Sequence, residues 1–217
     1  MDDLILKIFT IALLVESIVL HEVAHGYVAS LFGDPTARRL GRITINPIPH
    51  IDLVWTIAVP IIAFLLSGGS FIIGGAKPVP VNPYNYRRPV LGDICVSVAG
   101  VAVNFLIAVA MILLINIVYF TSGTPAGVLI ITVMLQVALL NIVLALFNLI
   151  PIPPLDGSHL MKYLLPRSLR GGYVRLGRTG AGFIILILAI NMTGLWRILS
   201  IVLFKLKDFL LESLIFF

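Results

Sequence analysis

Apolar residues run almost unbroken along five stretches of this chain, at about 4–32, 53–74, 91–120, 127–150 and 179–204. Each is long enough to cross a hydrocarbon layer roughly 30 Å thick as a helix. Polar residues collect between them, at 33–52, 75–91 and 151–178, in intervals of loop length that leave no room for a separate soluble module. The pattern predicts an all-α polytopic membrane protein, a single integral-membrane domain over residues 1–217 with about five to six membrane helices or re-entrant segments. Short membrane-proximal β-strands are expected as well. Ala37 to Pro47 carries Leu40, Ile43, Thr44 and Ile45 in an extended setting, and Lys77-Pro78-Val79-Pro80-Val81-Asn82-Pro83 cannot sustain a helix. These two stretches are either connecting loops or exposed edges that would hold an unwound substrate by main-chain hydrogen bonds.

The second apolar run is ambiguous. Pro60 lies midway, and the run ends in Ser67-Gly68-Gly69-Ser70 and Gly74-Gly75, so a hairpin or re-entrant element competes with a straight span. If it returns to its starting side, the loops 33–52, 75–93 and 151–178 share one face and hold eleven of the fifteen Lys and Arg, while 121–126 on the other face holds none. The positive-inside rule then makes the basic face cytoplasmic, in a protein expected in the plasma membrane. Residues after Trp196, with Lys205, Lys207, Asp208 and Glu212, read as an interfacial amphipathic tail.

Composition agrees: 59% of residues are hydrophobic and 12% charged, and mean hydropathy is +1.10. The net charge of +5 is spread over membrane-flanking loops instead of one stripe, which points to anionic lipid headgroups and away from nucleic acid. Cys95 is the only cysteine, which rules out an internal disulfide. Met1-Asp2-Asp3 and the lack of a small-residue cleavage site before the histidines predict that the first helix is retained.

Chemistry enters at His21-Glu22-Val23-Ala24-His25, inside the first apolar run. Histidines four apart on a helix differ by about 40° around its axis, so both imidazoles reach one ion from one face. Glu22 beside them is placed to take a proton from a water whose pKa zinc lowers toward about 7, and to pass it to a leaving amine. Two satisfied core histidines are the bland alternative.

Zinc needs a third protein ligand, and Asp156 is the only carboxylate between Asp93 and Asp208. The prolines at 151, 153 and 154 break the helix ending near Asn148, and broken backbone at membrane depth belongs where it lines a polar cavity. A carboxylate at the centre of a membrane helix costs about 2.5–3.5 kcal/mol, which a bound zinc, worth on the order of 10 kcal/mol, offsets. Asn141 and Asn148 are seven apart and share a helix face, either pointing into the site or gluing helices together.

Taken in order, His21-Glu22-x-x-His25, Asn46-Pro47-Ile48-Pro49-His50-Ile51-Asp52, Ala76-Lys77-Pro78-Val79-Pro80, Ala99-Gly100 with Asn104, and Asn148 to Gly157 resemble the site-2 protease family over most of the chain. Closest is its compact subgroup without PDZ or nucleotide-sensing domains. The resemblance implies an intramembrane zinc endopeptidase that cuts transmembrane protein or peptide substrates, with one Zn2+ held by His21, His25 and Asp156. It also implies Glu22 as general base and acid, and Asn148 as an oxyanion or positioning donor near the substrate carbonyl. Leu53, Trp55, Gly75 and Val101 stand where the family pattern has Pro, Gly, Trp and Pro. None is a metal ligand, so the departures bear on the 53–74 element and the substrate groove.

His159 is a second group near the metal, an alternative ligand or an ordinary polar residue near a helix start, and Glu16 has no assigned role. A divalent-metal transporter also places histidines and carboxylates in membrane helices, but it calls for ligands repeated along a pathway. A zinc-binding scaffold without proteolytic activity is the third reading, against which Glu22 stands.

Overall fold

The computed structural model describes residues 2–58, 61–62, 65, 75–121, 124–192, 194, 197, 200–206, 208 and 212. Seven α-helices are described: α1 (Asp2–Leu31), α2 (Thr36–Arg39), α3 (Pro89–Thr121), α4 (Pro125–Asn148), α5 (Gly157–Leu164), α6 (Arg167–Arg178) and α7 (Ala181–Met192). Proline opens α3 and α4, where its missing N–H costs nothing, and the Thr124 side chain caps α4 by accepting from the Gly127 N–H. Two helices are long and apolar enough to cross a membrane, over Pro89–Tyr119 and Gly127–Asn148. On α3 the exposed residues Leu106, Val109, Leu113 and Ile117 follow a three-to-four spacing, so one apolar stripe is left uncovered by protein, as a lipid-facing helix requires.

Among the described residues no β-strand forms. Ala37 to Arg39 belong to α2 instead, and 77–82 is neither helix nor strand. The prolines explain the second case. Pro78, Pro80 and Pro83 remove three donors from a would-be ladder, and side chains take up main-chain groups that a partner strand would have used.

The chain divides into two compact units, residues 15–100 and residues 1–14 with 101–217. In the first, Ala29, Tyr86 and Val96 form a core flanked by Val28, Phe32 and Val81. Gly33, at φ 104°, turns the chain out of α1. The fully buried Asp34 then ties two loops together. Its carboxylate accepts from the Thr36 N–H and hydroxyl, from the Asn82 N–H at 2.6 Å and from Asn85 Nδ2 at 2.8 Å. Burial works to raise its pKa, but the hydrogen bonds from Asn85, Thr36 and Asn82 outweigh it and hold the carboxyl below its ordinary range.

The same unit contains both ends of the ambiguous second run. Leu53–Ala58 is a π-helical turn, and the Thr56 hydroxyl donates to the Gly75 carbonyl at 2.7 Å. The Lys77 N–H donates to the His50 carbonyl at 2.8 Å. The element thus returns to where it began; its course through 59–60, 63–64 and 66–74 lies outside the described residues, as does much of the tail after Trp196.

The second unit packs Ile115 and Leu135 with Ile112, Ile131, Met134 and Leu139. Asn104 and Asn141 are fully buried in it, and the Thr10 hydroxyl donates to Gln136 Oε1. After α4 the chain turns through Leu149 to Asp156 in a series of tight turns: Leu155 N–H to Ile152 O, Ser158 N–H to Leu155 O and His159 N–H to Asp156 O. Gly157 is required here, since a Cβ would stand 2.2 Å from the Leu149 carbonyl oxygen. The loop is held from outside by the Tyr173 hydroxyl on the Pro151 carbonyl. Gly182 supports it too, its bare backbone resting against Pro153.

Candidate metal centre

His21 and His25 lie one helical turn apart on α1, both buried, with rings edge to face and centroids 4.6 Å apart. The Nδ1–H of His25 donates to the Val96 carbonyl at 2.6 Å, which fixes the tautomer and leaves the Nε2 lone pair for a ligand. The two Nε2 atoms are 3.0 Å apart. Two nitrogens on one tetrahedral zinc, at about 2.0–2.1 Å each, would stand about 3.3 Å from one another, so the pair is close to ligand spacing.

Gly100 makes the room. A Cβ on it would sit 2.5 Å from His21 Cε1 and 2.6 Å from His25 Nε2, so α3 can lie against both imidazoles only because this residue has no side chain. Asp156, the third expected ligand, is half-buried just before α5 in the other compact unit; with His21 and His25 it makes up the group of described side chains that could hold a metal. Two imidazoles and a carboxylate are a zinc-type donor set that leaves a fourth position open.

Glu22 is half-buried, and its Oε2 accepts from the Val79 N–H at 2.7 Å. Asn148 is the last residue of α4; its Nδ2 donates back to the Leu144 carbonyl at 3.0 Å, and an amide has a second N–H to offer. Asn141 is fully buried and donates to the Val137 carbonyl. His159 is exposed at the start of α5 and is not in the metal group. Neither is His50, which is buried and shares a hydrogen bond with the Thr44 carbonyl. Glu16 is half-buried, and nothing in the structure explains it.

Sequence reasoning passed over Arg42, Gly26 and the Val79 N–H. The signal for the last was present: with proline at 78 and 80, Val79 carries the one main-chain donor between Lys77 and Val81.

The description "Peptidase family M50" matches residues 9–128 and 114–189. YwhC of Bacillus subtilis is 34% identical over 88% of this chain and 86% of its own length. Rip2 of Mycolicibacterium smegmatis is 29% identical over 71% of this chain and 56% of its own. The zinc metalloprotease MJ0392 of Methanocaldococcus jannaschii is 26% identical over 78% of this chain, which spans 37% of it. YwhC and Rip2 carry the name zinc metalloprotease provisionally. No solved structure matches the chain significantly.

Proposed function

The chain belongs to peptidase family M50, and from that premise we propose that it is a zinc endopeptidase of the site-2 type, hydrolysing peptide bonds in or beside transmembrane segments of other membrane proteins. The observation that carries this reading is the pairing of His21 and His25, with their Nε2 atoms 3.0 Å apart and Glu22 next to the first histidine on the same helix. Zinc held by these three would polarise the scissile carbonyl and lower the pKa of a water toward about 7. Glu22, beside the first histidine, would be the group that takes a proton from water and hands it to the leaving amine. Asn148 offers an N–H to the carbonyl oxygen as charge develops on it. His25 is kept in its ligating tautomer by the Val96 carbonyl.

Substrate class follows from where the site is built. The HExxH residues lie in a 30-residue helix, and α3 and α4 are long and apolar enough to span, with the α3 stripe open to lipid. A peptide reaching such a site comes from the bilayer. The eleven basic residues in three loops support a site toward the cytoplasmic side of the plasma membrane.

The decisive test replaces Glu22 with Gln. Membrane proteins of cells carrying the wild-type and Glu22→Gln chains are compared for transmembrane substrates that accumulate uncut, and zinc is measured in both purified proteins. Proteolysis should disappear with zinc retained, because Glu22 moves protons and does not ligate. His21→Ala, His25→Ala and Asp156→Ala should each lower zinc occupancy instead. Cleavage surviving Glu22→Gln would end this reading.

A further inference from the structure

Residues 77–79 form a strap across the face of α1 that carries Glu22, and four of its main-chain groups have an assigned partner. The Lys77 N–H donates to the His50 carbonyl at 2.8 Å. Arg42 Nη2 donates to the Lys77 carbonyl at 2.9 Å and reaches the Pro78 carbonyl at 3.4 Å. The Val79 N–H donates to Glu22 Oε2 at 2.7 Å. Pro78 and Pro80 have no N–H, so no neighbouring donor competes for that carboxylate.

Gly26, one turn beyond Glu22 on the same face, lets the strap seat. A Cβ there would lie 2.7 Å from Val79 Cγ1 and 2.9 Å from Ala37 Cβ. Arg42 itself is buried, with 9% of its surface exposed, so its guanidinium is committed to this place.

We propose that Arg42 is a positioning residue for Glu22: by holding the Lys77 and Pro78 carbonyls it aims the Val79 N–H at the Glu22 carboxylate and fixes the rotamer from which Glu22 moves a proton. The proposal rests on the reading of Glu22 as the proton carrier. Without Arg42 two carbonyls lose their donor, the strap lifts, and the carboxylate is free to turn. Proton-transfer groups must be held within about 0.5 Å and 10–20° of the productive geometry, and a 1 Å misplacement can cost about 100-fold in rate.

The test uses the full-length protein in detergent, with an apolar transmembrane peptide flanked by a fluorophore and a quencher as the probe. Four measurements are made on each variant: kcat, KM, zinc content, and amide hydrogen exchange of the peptide covering 77–82. Arg42→Gln should lower kcat about 10- to 100-fold, leave KM within about twofold and keep zinc. It should also expose one further amide in 77–82. That amide is Val79; Asn82, held by Asp34, stays protected and serves as the internal reference.

Arg42→Lys should restore kcat to within about threefold, because the contact uses a single nitrogen that an ammonium can replace. Gly26→Ala reaches the same geometry from the other side and should give the same exchange and kcat signature. Unchanged exchange or kcat in Arg42→Gln overturns the proposal. A rise in KM at constant kcat overturns it as well and makes the strap a substrate-holding edge. Loss of zinc, or equal loss in Arg42→Lys, reduces Arg42 to a structural role. Glu22→Gln is run alongside: if it cleaves like wild type, the functional reading has failed, whereas an active Arg42→Gln beside a dead Glu22→Gln sinks this proposal alone.

Discussion

Gly100→Ala should cost this protein its metal before it costs the fold. The added methyl would stand 2.5 Å from His21 Cε1, 2.6 Å from His25 Nε2 and 2.7 Å from His21 Nδ1, where ordinary contact begins near 3.4 Å. Each ring would have to retreat by roughly 1 Å, while ligand distances in a zinc site are held to about 0.2 Å. His25 cannot swing freely, because its Nδ1–H is anchored on Val96. Displacement of this kind resembles the loss of a group that orients a ligand, which typically costs about 10- to 100-fold in metal affinity, or about 1.4–2.7 kcal/mol.

The assay is zinc titration against a competing chelator, on full-length protein in detergent, with a melting curve for each variant. Gly92→Ala is the control. Its Cβ would press on the Tyr86 ring at 2.9 Å, so it adds a comparable clash among core residues and not against the imidazoles. Overpacking of that kind costs about 1–3 kcal/mol of stability and should lower the melting temperature without touching zinc affinity. Wild-type zinc affinity in Gly100→Ala, or an equal fall in both variants, would refute the reasoning.

Asn148→Leu should lower turnover by about 100-fold or more with zinc content unchanged, and Asn141→Leu, two turns away, should cost much less; equal losses, or a zinc deficit in the Asn148 variant, would reassign Asn148 to structure. Because the Asp34 carboxyl is held below its ordinary pKa of about 3.9, its ionised form adds stability that is full above that value and is lost as pH falls through and below it. The melting-temperature gap between wild type and Asp34→Asn should therefore be widest at pH 5–7 and close below about pH 4; a gap independent of pH would refute that linkage. Mapping the new terminus of a cut substrate should place the scissile bond near the cytosolic side of the bilayer, and a cut in the outer half would invert the topology.

The HExxH half of the candidate centre can be drawn from the sequence because it needs only local geometry: a helix, two imidazoles one turn apart and a carboxylate between them. Asp156 is singled out by a different route, as a lone carboxylate after prolines that end a helix. What escaped depends on approach between distant residues. A glycine in a helix reads as neutral filler until something is seen pressing on it, as Val79 presses on Gly26. The strands expected at 37–47 and 77–83 are not seen for a related reason: Glu22, Arg42 and Asp34 hold main-chain groups of 77–82 that pairing would need. Arg42 looked like one basic loop residue among many, since burial of a cation against carbonyls has no sequence signature.

The neck at Thr56–Gly75 and His50–Lys77 separates inheritance of the chemistry from inheritance of the segment it closes. Pinning a segment at its two ends becomes costlier only slowly as it lengthens, by about 0.6 kcal/mol for each doubling of length. The stretch between Ala58 and Gly75 can therefore gain, lose or exchange residues over generations while the neck keeps Lys77 in register and Val79 against Glu22. Change in that stretch can accumulate on one side of two hydrogen bonds while the groups around Glu22 are held on the other.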